Sequence, residues 1–501
     1  MKMRLVTDYL DEAAKNFPDK AAFIDEKRSI TFKELKNEAY CIAGALGLEN
    51  VFKHPVAVFL EKKVKCIAVF MGIAYSGNFY TPIDTKMPIN RIEKILNTLE
   101  AKIIITDEVH KEAAEKLNAG AKILVYEELL NNTFDKSSIE KVKKNIIDTD
   151  VLYVLFTSGS TGIPKGVIIS HKSVINYTEW VTETFKIDNQ HIFGNQTPFY
   201  FDMSVLDIYQ TLKNGACMYI IPERLFSFPI KLLEFMNNKK INIIFWVPSA
   251  LCLVANLKAL HKIYVKSLKK ILFAGEVMPN KQLNMWRSEY SGALFANLYG
   301  PTEITVICTY YIVNRDFKDS DILPIGYPCF NTSILVLNDK NELVQNDAIG
   351  ELCVRGTSLS YGYYNNQEKT AEVFVQNPLN KNYKEIIYRT GDLVRYNECG
   401  ELIYISRKDF QIKHMGYRIE LGEIERAISA IQGVETACCI YDEKKSRIVM
   451  FYIGEVIEDT IIATLNKILP AYMLPNKKIK LDVMPLNLNG KIDRVKLKEL
   501  L

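Results

Sequence analysis

The sequence has little of what marks a nucleic-acid-binding or a membrane protein. Its 63 lysines and arginines exceed its 59 aspartates and glutamates by a formal charge of only +4 over 501 residues. A protein that mainly binds nucleic acid carries a larger, more clustered basic excess. No apolar run approaches the roughly 18 residues of a membrane span, and acidic residues interrupt the amino-terminal segment before a secretory signal forms. We therefore expect a cytoplasmic protein without nucleic-acid or membrane partners.

Cysteine is present but not in patterns that bind metal or form disulfide frameworks. The ten cysteines are scattered, no C-x-x-C pair occurs, and the six histidines do not stand beside cysteines at zinc-finger spacing. Scattered cysteines inside apolar segments are typical of reduced core residues in an intracellular protein. We expect neither disulfides nor a structural metal.

The patterns that are present indicate an α/β fold. A helix is predicted over 31–46, opened by Thr31 with Glu34 three residues later, which is a capping-box pattern. Short apolar segments typical of buried strands occur at 54–60, 101–107, 239–247 and 268–275, with helical patterns between them. This alternation favours largely parallel sheets, and the length is enough for two or three domains.

The sequence changes character near Asp409. A β-rich region ends with GELIYISRKD, and an amphipathic helix, ELGEIERAISAI, follows. Two strands, a helix and a last strand over 478–486 complete the chain. We predict a large domain over residues 1–408, with α/β subdomains and a β-rich region, and a small, mobile α+β domain over 409–501.

The strongest local signal is the segment LFTSGSTGIPKGVIIS. Glycines allow close approach of the backbone to phosphate oxygens, successive N–H groups form an anion site, and a lysine adds charge. A Walker A loop is excluded because Lys165 precedes Gly166 and a β-branched triplet, which favour a strand. The predicted phosphate-binding residues are Thr157, Ser158, Gly159, Ser160, Thr161, Gly162 and Lys165.

The segment SGSTGxPKG resembles the phosphate loop of the adenylate-forming superfamily, which includes acyl-CoA synthetases, luciferases and peptide-synthetase adenylation domains. Further matches follow in the order of that family: YTPID with Arg91, NLYGPTE, GELCVRG, YRTGDL, SRKDFQIKHMGYRIELGEIE and LNLNGKIDR. Ser406 departs from the pattern, which usually has glycine there. We expect it to adjust the backbone near the hinge without abolishing activity.

The resemblance implies a reaction in two halves, with ATP and Mg²⁺ as cofactors. A carboxylate attacks the α-phosphate of ATP, and the acyl-adenylate is then transferred to a thiol. Thr302, Glu303 and Lys491 would form the catalytic set, with Glu303 holding Mg²⁺ and Lys491 bridging the carboxylate and the α-phosphate. Asp409 matches the hinge position. The remaining nucleotide contacts implied are Gly275, Glu276, Asn297, Tyr299, Gly300, Asp392, Tyr404 and Arg407.

Asp202 indicates which acid is activated. Amino-acid-activating members carry an aspartate here that pairs with the substrate ammonium, whereas acyl-CoA synthetases generally do not; a helix-capping aspartate is the alternative interpretation. The implied pocket is apolar, which favours a small apolar side chain. The other pocket positions implied are Met203, Leu206, Trp246, Leu272, Ala274, Leu298, Val306 and Ile307.

Two substrates are consistent with this pocket. The string D-M-L-W-L-A-L-V-I-K is similar to that of L-prolyl–carrier-protein ligases, with Trp246 as a flat wall for a ring. The sequence around FAGEVMPNKQL resembles that of D-alanine–carrier-protein ligases instead, although those have cysteine at the position of Ala274. L-proline is the first expectation and D-alanine or another small amino acid the second. Since neither H-H-x-x-x-D-G nor a later G-G-x-S-L occurs, we expect a carrier protein bearing phosphopantetheine in trans.

Overall fold

The amino-terminal segment forms a helix, a hairpin and a second helix. The computed structural model describes residues 4–117, 120–132, 134–159, 162–344, 347–486 and 492–501. The predicted capping box is confirmed: the backbone N–H of Glu34 donates to Thr31 Oγ1 at 3.2 Å, and that of Thr31 donates to Glu34 Oε2 at 2.8 Å. The elements are α1 (Val6–Asn16), β1 (Ala21–Ile24), β2 (Ser29–Thr31) and α2 (Phe32–Leu48).

A mainly parallel sheet follows, with helices between its strands. Its elements are β3 (Pro55–Phe59), α3 (Val64–Tyr75), β4 (Phe79–Ile83), α4 (Ile89–Leu99), β5 (Ile103–Thr106), α5 (Lys111–Glu115), β6 (Lys122–Val125), α6 (Tyr126–Leu129), α7 (Lys136–Asn145), β7 (Val151–Thr157) and β8 (Lys165–Ser170). The strand order is β6–β5–β3–β4–β7–β8. The β7–β8 pair is antiparallel, as expected for a strand–loop–strand phosphate loop.

A second sheet takes up the middle of the chain. Its elements are α8 (His171–Phe185), β9 (Ile192–Asn195), α9 (Ser204–Asn214), β10 (Cys217–Ile220), α10 (Pro229–Asn238), β11 (Ile243–Trp246), α11 (Pro248–Asn256), β12 (Lys270–Phe273), α12 (Asn280–Glu289), β13 (Leu294–Tyr299), β14 (Thr309–Ile312) and β15 (Tyr327–Pro328), with 3₁₀ turns at Glu223–Ser227 and Thr302–Ile304. The order is β15–β14–β13–β12–β11–β9–β10–β1–β2, parallel from β13 to β1.

The second sheet separates apolar clusters on its two faces. On β11, Ile243 and Phe245 face a cluster shared with α8 and α9, whereas Ile244 and Trp246 face a cluster shared with α10, α11 and α12. Strands covered on both faces read as continuous apolar runs rather than as alternating ones. This explains why segments such as INIIFW predicted buried strands.

The β-rich region that the sequence predicted in the large domain is present as an antiparallel sheet. Its elements are β16 (Thr332–Leu337), β17 (Gly350–Gly356), α13 (Gln367–Val373), β18 (Phe374–Gln376), β19 (Ile386–Tyr396) and β20 (Leu402–Arg407). Strands β16, β17, β19 and β18 lie in that order, and β20 pairs with β19. Ser406 is exposed on β20, in register with Leu393.

The carboxyl-terminal residues form a small α+β unit. Its elements are β21 (Gln411–His414), β22 (Tyr417–Glu420), α14 (Leu421–Ser429), β23 (Val434–Asp442), β24 (Arg447–Gly454), α15 (Glu458–Leu465), a 3₁₀ turn (Ala471–Met473), β25 (Lys477–Lys480) and α16 (Arg494–Glu499). The hairpin β21–β22 and helix α16 were not predicted. Strand β25 also ends earlier than predicted, because its parallel partner β24 stops two residues after the Tyr452–Lys480 pair.

Within the described residues, no helix is both long and apolar enough to cross a membrane.

The capping box gives a prediction about stability. Thr31→Ala removes the side-chain oxygen that accepts from the Glu34 N–H, so it should lower the free energy of unfolding by about 1 kcal/mol. Urea unfolding at pH 7 measures the loss. Lys33→Ala in the same exposed helical turn is the control and should change it by less than about 0.5 kcal/mol. Equal effects of the two substitutions would contradict the capping role.

Candidate active site

A cavity lies where the strands of the second sheet end. Ala274 and Gly275 follow β12, and Gly300 follows β13; all three line the cavity. Ligands of open α/β sheets bind in this position, at the carboxyl ends of the strands. The small carboxyl-terminal unit covers the cavity, with Lys413 of β21 and Arg418 of β22 lining its other side. The site is therefore built from segments on both sides of residue 408.

The phosphate loop reaches the cavity through the end of β7. Thr157 and Ser158 line it, and the Ser158 hydroxyl donates to the backbone oxygen of Arg418 at 2.6 Å. Lys165 Nζ lies 5.0 Å from the ring centroid of Tyr363. Burial, followed by the charge of Arg418, lowers the pKa of Lys165.

Two glycines of this loop occupy positions that disfavour any other residue. A Cβ at Gly159 would lie 1.9 Å from the Ile163 backbone oxygen, so a side chain is excluded there, and Gly162 has a φ of +78°. Ser160 and Thr161, also predicted to bind phosphate, lie outside the described residues.

Glu303 is the most strongly engaged carboxylate of the site. Its side chain is 0% exposed, and Arg418 Nη1 contacts its two oxygens at 2.9 and 2.7 Å. The Tyr363 hydroxyl donates to Oε1 at 2.7 Å. Burial by itself would raise the pKa of Glu303, but the charges of Arg418 and Lys165 lower it to about 2. The carboxylate is therefore ionised at neutral pH.

This arrangement does not fit the metal role that the resemblance implies for Glu303. Both of its oxygens face a guanidinium group, which repels a cation. Among the described residues, no cluster of three or more His, Cys, Asp or Glu side chains is arranged to hold a metal ion. With Arg418 in place, Glu303 serves as the counter-ion of the carboxyl-terminal unit.

Asp392 joins the predicted nucleotide residues into one network. Arg407 Nη1 donates to its Oδ1 at 2.8 Å, and the Tyr299 hydroxyl donates to Oδ2. The side chains of Asp392 and Arg407 are 4% and 10% exposed, so this is a buried pair and not a surface ion pair. The ring of Tyr404 lies 6.5 Å from that of Tyr299. A buried carboxylate opening into the cavity suits an acceptor for ribose hydroxyls.

Other predicted nucleotide positions have backbone or supporting roles. Gly275 has a φ of +95° and lines the cavity. Glu276 accepts from the Ser249 N–H at 2.9 Å, and Asn297 donates to the Pro324 backbone oxygen at 2.8 Å. A Cβ at Gly300 would lie 2.4 Å from the Val306 backbone oxygen. Glu276 and Asn297 therefore organise neighbouring loops.

Asp202 opens into the same cavity. The N-cap of α9 is Met203, so Asp202 is not the helix cap that the alternative interpretation proposed. Burial raises the pKa of Asp202 to about 6, against the opposing effects of Thr302 and of the Lys413 charge. A half-buried carboxylate with this pKa is suited to an incoming cation.

The apolar side of the cavity contains part of the predicted pocket. Met203, Ala274, Val306 and Ile307 line it. Leu206, Leu272 and Leu298 pack behind them in the same buried cluster. Thr305 and Val306 have φ values of +55° and +74°, a strained conformation for β-branched residues. Such strain is typical of backbone at functional sites.

Trp246 is not where the pocket prediction requires it. Its side chain lies on the opposite face of the second sheet, where its indole N–H donates to the Gly194 backbone oxygen at 2.7 Å and its ring packs against Phe226. Side chains alternate across a strand, so the neighbours Phe245 and Val247 face the cavity side. Trp246 therefore does not provide the flat wall on which the proline argument depended.

The sequence reasoning missed the roles of Lys413 and Arg418. The two residues pair across the β21–β22 hairpin, and Ile412 and Ile419 pair on its apolar side. The alternation in QIKH and YRIE was a usable signal for this hairpin. Lys413 Nζ lies 5.3 Å from the ring centroid of Tyr299, and burial lowers its pKa.

Lys491 and Asp409 are the two remaining predicted residues, the first as a catalytic lysine and the second as a hinge. Lys491 lies outside the described residues. Asp409 follows β20 and accepts from Arg407 Nε at 2.7 Å, Nη2 at 2.9 Å and the Gln411 N–H at 3.1 Å. Asp409 is therefore tied to the nucleotide network at the point where the carboxyl-terminal unit begins.

Solved structures share this fold. An NRPS protein containing adenylation and PCP domains, PA1221, matches with a TM-score of 0.85 and 22% identity, over 99% of this chain and 84% of that chain. IdnL1 matches with a TM-score of 0.83 and 24% identity, over 96% and 99%. At these identities the likeness establishes the fold alone. This is the fold of adenylate-forming enzymes.

Sequence relatives make the assignment narrower. D-alanine–D-alanyl carrier protein ligase of Bacillus licheniformis is 30% identical, over 99% of both chains. Zwittermicin A synthase ZmaJ of Bacillus cereus is 32% identical, over 97% of this chain and 93% of that protein. Tyrocidine synthase 1 of Brevibacillus parabrevis is 31% identical over 98% of this chain, but this chain spans only 44% of its length. The family model for AMP-binding enzymes matches residues 10–364. The chain belongs to the AMP-binding enzyme family.

The Glu303 network gives a second prediction. Tyr363→Phe removes a hydroxyl that donates to a buried carboxylate, so it should lower the free energy of unfolding by about 2 kcal/mol. Tyr361→Phe is the matched control, because its exposed hydroxyl donates to a neutral acceptor, the Thr149 backbone oxygen, at 2.8 Å. The control should cost about 1 kcal/mol or less. Urea unfolding at pH 7 compares them, and equal losses would contradict the charged hydrogen bond.

Proposed function

We propose that this chain activates a small amino acid with ATP and transfers the aminoacyl group to the phosphopantetheine thiol of a carrier protein. The observation that carries the proposal is the position of Asp202, which opens into the cavity that also receives the phosphate loop and Asp392. A carboxylate at that place offers a counter-ion for an α-ammonium group. Fatty-acid and aryl-acid substrates have no such group, so Asp202 disfavours an acyl-CoA synthetase.

The proposed chemistry has two balanced steps. In the first, an oxygen of the substrate carboxylate bonds to the α-phosphorus of ATP, and pyrophosphate leaves. In the second, the thiol sulfur bonds to the carbonyl carbon, AMP leaves, and the thiol proton is released. Backbone N–H groups of the phosphate loop and Lys165 would bind the phosphates, and Asp392 would hold the ribose. Positioning and charge neutralisation are the protein's main contributions to the first step.

We further propose that residues 1–408 and 409–501 act as two domains with a hinge at Asp409. The arrangement in the structure suits the transfer step, because the β21–β22 hairpin covers the cavity. Ile492, next to the predicted lysine position, packs with Cys438 and Phe451. The alternate residues of β23 face the cluster that contains Ile419 of the hairpin. Ile492 and the hairpin thus lie against opposite faces of the small sheet, and we propose that adenylation uses a second arrangement of the two domains.

Two amino acids remain candidates. Relatives named as D-alanine–D-alanyl carrier protein ligases match almost end to end at 30% identity, which favours D-alanine. The string of pocket residues favours L-proline, but the position of Trp246 removes the ring-stacking argument. Both substrates agree with a small apolar pocket formed by Met203, Ala274, Val306 and Ile307.

Amino-acid-dependent ATP–pyrophosphate exchange, measured across the twenty amino acids and D-alanine, tests the function. We expect a small apolar amino acid to give the highest kcat/KM. The relative values for L-proline and D-alanine decide between the two candidates. Exchange with fatty or aryl acids, and none with amino acids, would overturn the proposal.

Asp202 gives the third prediction. Asp202→Ala leaves the substrate ammonium without a counter-ion in a partly buried pocket, which costs about 3 kcal/mol. This corresponds to a loss on the order of a hundredfold in kcat/KM, measured by exchange. An activity within threefold of the wild type would contradict the assignment.

The same residue predicts a dependence on pH. Because burial raises the pKa of Asp202 to about 6, the carboxyl becomes neutral as the pH falls below that value and loses its attraction for the ammonium group. The amino-acid KM should then rise by up to about tenfold per pH unit below 6. Asp202→Asn is the control and should lack this rise. A KM that is constant between pH 5 and 8 in the wild type would contradict the prediction.

A further inference from the structure

A buried ion pair joins the large part of the chain to the carboxyl-terminal unit, and its arginine, Arg91, also lines the cavity. Arg91 Nη1 lies 2.5 Å from Glu423 Oε1, and the two side chains are 6% and 4% exposed. Arg91 is on α4, beside the first sheet, and Glu423 is in the first turn of α14. The two residues are 332 positions apart. The proposed activity assigns no role to either one.

The pair is not built for stability alone. Glu423 Oε2 is buried and has no hydrogen-bond partner among the described residues. A buried charge pair whose hydrogen bonds are incomplete gains little over an apolar contact, whereas removing one partner is strongly unfavourable. When α14 moves away from α4, both groups return to water and the attraction is lost. The pair is therefore specific to the arrangement seen here, and removing one of its two charges leaves the other buried without a counter-ion and disfavours this arrangement.

Stacked aromatic rings lie beside this ion pair at the cavity wall. Burial raises the pKa of Tyr472 to about 12, and of the two neighbouring charges Arg91 lowers this pKa whereas Glu423 raises it. The ring of Tyr472 stacks on that of Tyr417, with 3.6 Å between centroids and 7° between planes. Tyr417 in turn packs edge-on against Phe201 at 5.2 Å, the residue before Asp202. The ion pair and the hairpin residue that precedes Arg418 thus belong to one continuous packed region at the cavity.

We propose that Arg91 and Glu423 are positioning residues for the thiol-transfer step. Their pairing holds the hairpin over the cavity during transfer and is absent during adenylation. This inference rests on the proposed function and adds a role for an arginine whose motif had none. It does not require either residue to touch a substrate.

The test compares Glu423→Gln with Glu425→Gln. Glu425 lies on the same helix and pairs with Arg494 at 2.7 Å, so its partner belongs to the same unit. Both substitutions keep the shape of the side chain and remove its charge, but only the first weakens a contact with the large part of the chain. The half-reactions are pyrophosphate exchange and single-turnover transfer from preformed aminoacyl-adenylate to free pantetheine or phosphopantetheinylated D-alanyl carrier protein.

Glu423→Gln should lower the transfer rate at least tenfold and leave exchange within about twofold of the wild type. Glu425→Gln should leave both rates within about twofold. Glu423→Asp, which keeps the charge, should recover part of the transfer rate. Transfer by Glu423→Gln within twofold of the wild type, or parallel losses in both half-reactions for both glutamine variants, would overturn the proposal.

A measurement without substrates separates this inference from the proposed function. Hydrogen exchange of the backbone over residues 411–420, followed by mass spectrometry, should become faster in Glu423→Gln and remain unchanged in Glu425→Gln. If the wild type shows neither half-reaction, the proposed function fails. Independently of that result, an unchanged rate of hydrogen exchange in Glu423→Gln would overturn the role of the ion pair. Faster hydrogen exchange in both glutamine variants would show a general loosening of the carboxyl-terminal unit and would also overturn the role of the ion pair.

Discussion

The buried carboxylate of Glu303 is the interaction on which the rest of the site depends. A fully buried negative charge must be neutralised, and here the neutralising guanidinium comes from Arg418, at the far end of the chain. The pair holds the β21–β22 hairpin against the phosphate loop, whose Ser158 also donates to the Arg418 backbone. Removing Arg418 takes away the charge that contacts both Glu303 oxygens, and removing Glu303 leaves the Arg418 guanidinium without this counter-ion, so the cover and the cavity floor are energetically coupled.

The charges around the cavity come from both parts of the chain, and the cations Arg91 and Arg407 lie before residue 408 as the carboxylates do. The carboxylates Asp202, Glu303 and Asp392 come from the loops and strands before residue 408, whereas Lys413 and Arg418 come from the hairpin after it. Opposite charges on two units favour closing the cavity without fixing a single distance between them. An anionic substrate in the cavity would compete for the same cations.

The second sheet forms the floor of the cavity. Parallel strands buried on both faces place their carboxyl ends at one edge, so Gly275, Gly300 and Asp202 come together from distant parts of the sequence. The left-handed conformations of Thr305 and Val306 turn the chain sharply after β13 and bring Val306 and Ile307 to the cavity wall. Burial of the surrounding core compensates for the cost of this strain.

The sequence by itself determined the local elements and the class of chemistry. The capping box of Thr31 and Glu34, the strand–loop–strand around Lys165 and the buried strands of the sheets depend on neighbouring residues, and each was predicted from them. The partners of Glu303, Asp392 and Arg91 depend on contacts between residues far apart in the chain, so spacing alone gave no access to them. The face of β11 on which Trp246 lies was decided by packing, because a strand buried on both sides has no polar alternation to mark its faces. Local patterns are encoded over a few residues, whereas charge pairing and sheet faces are fixed only when the distant segments have come together.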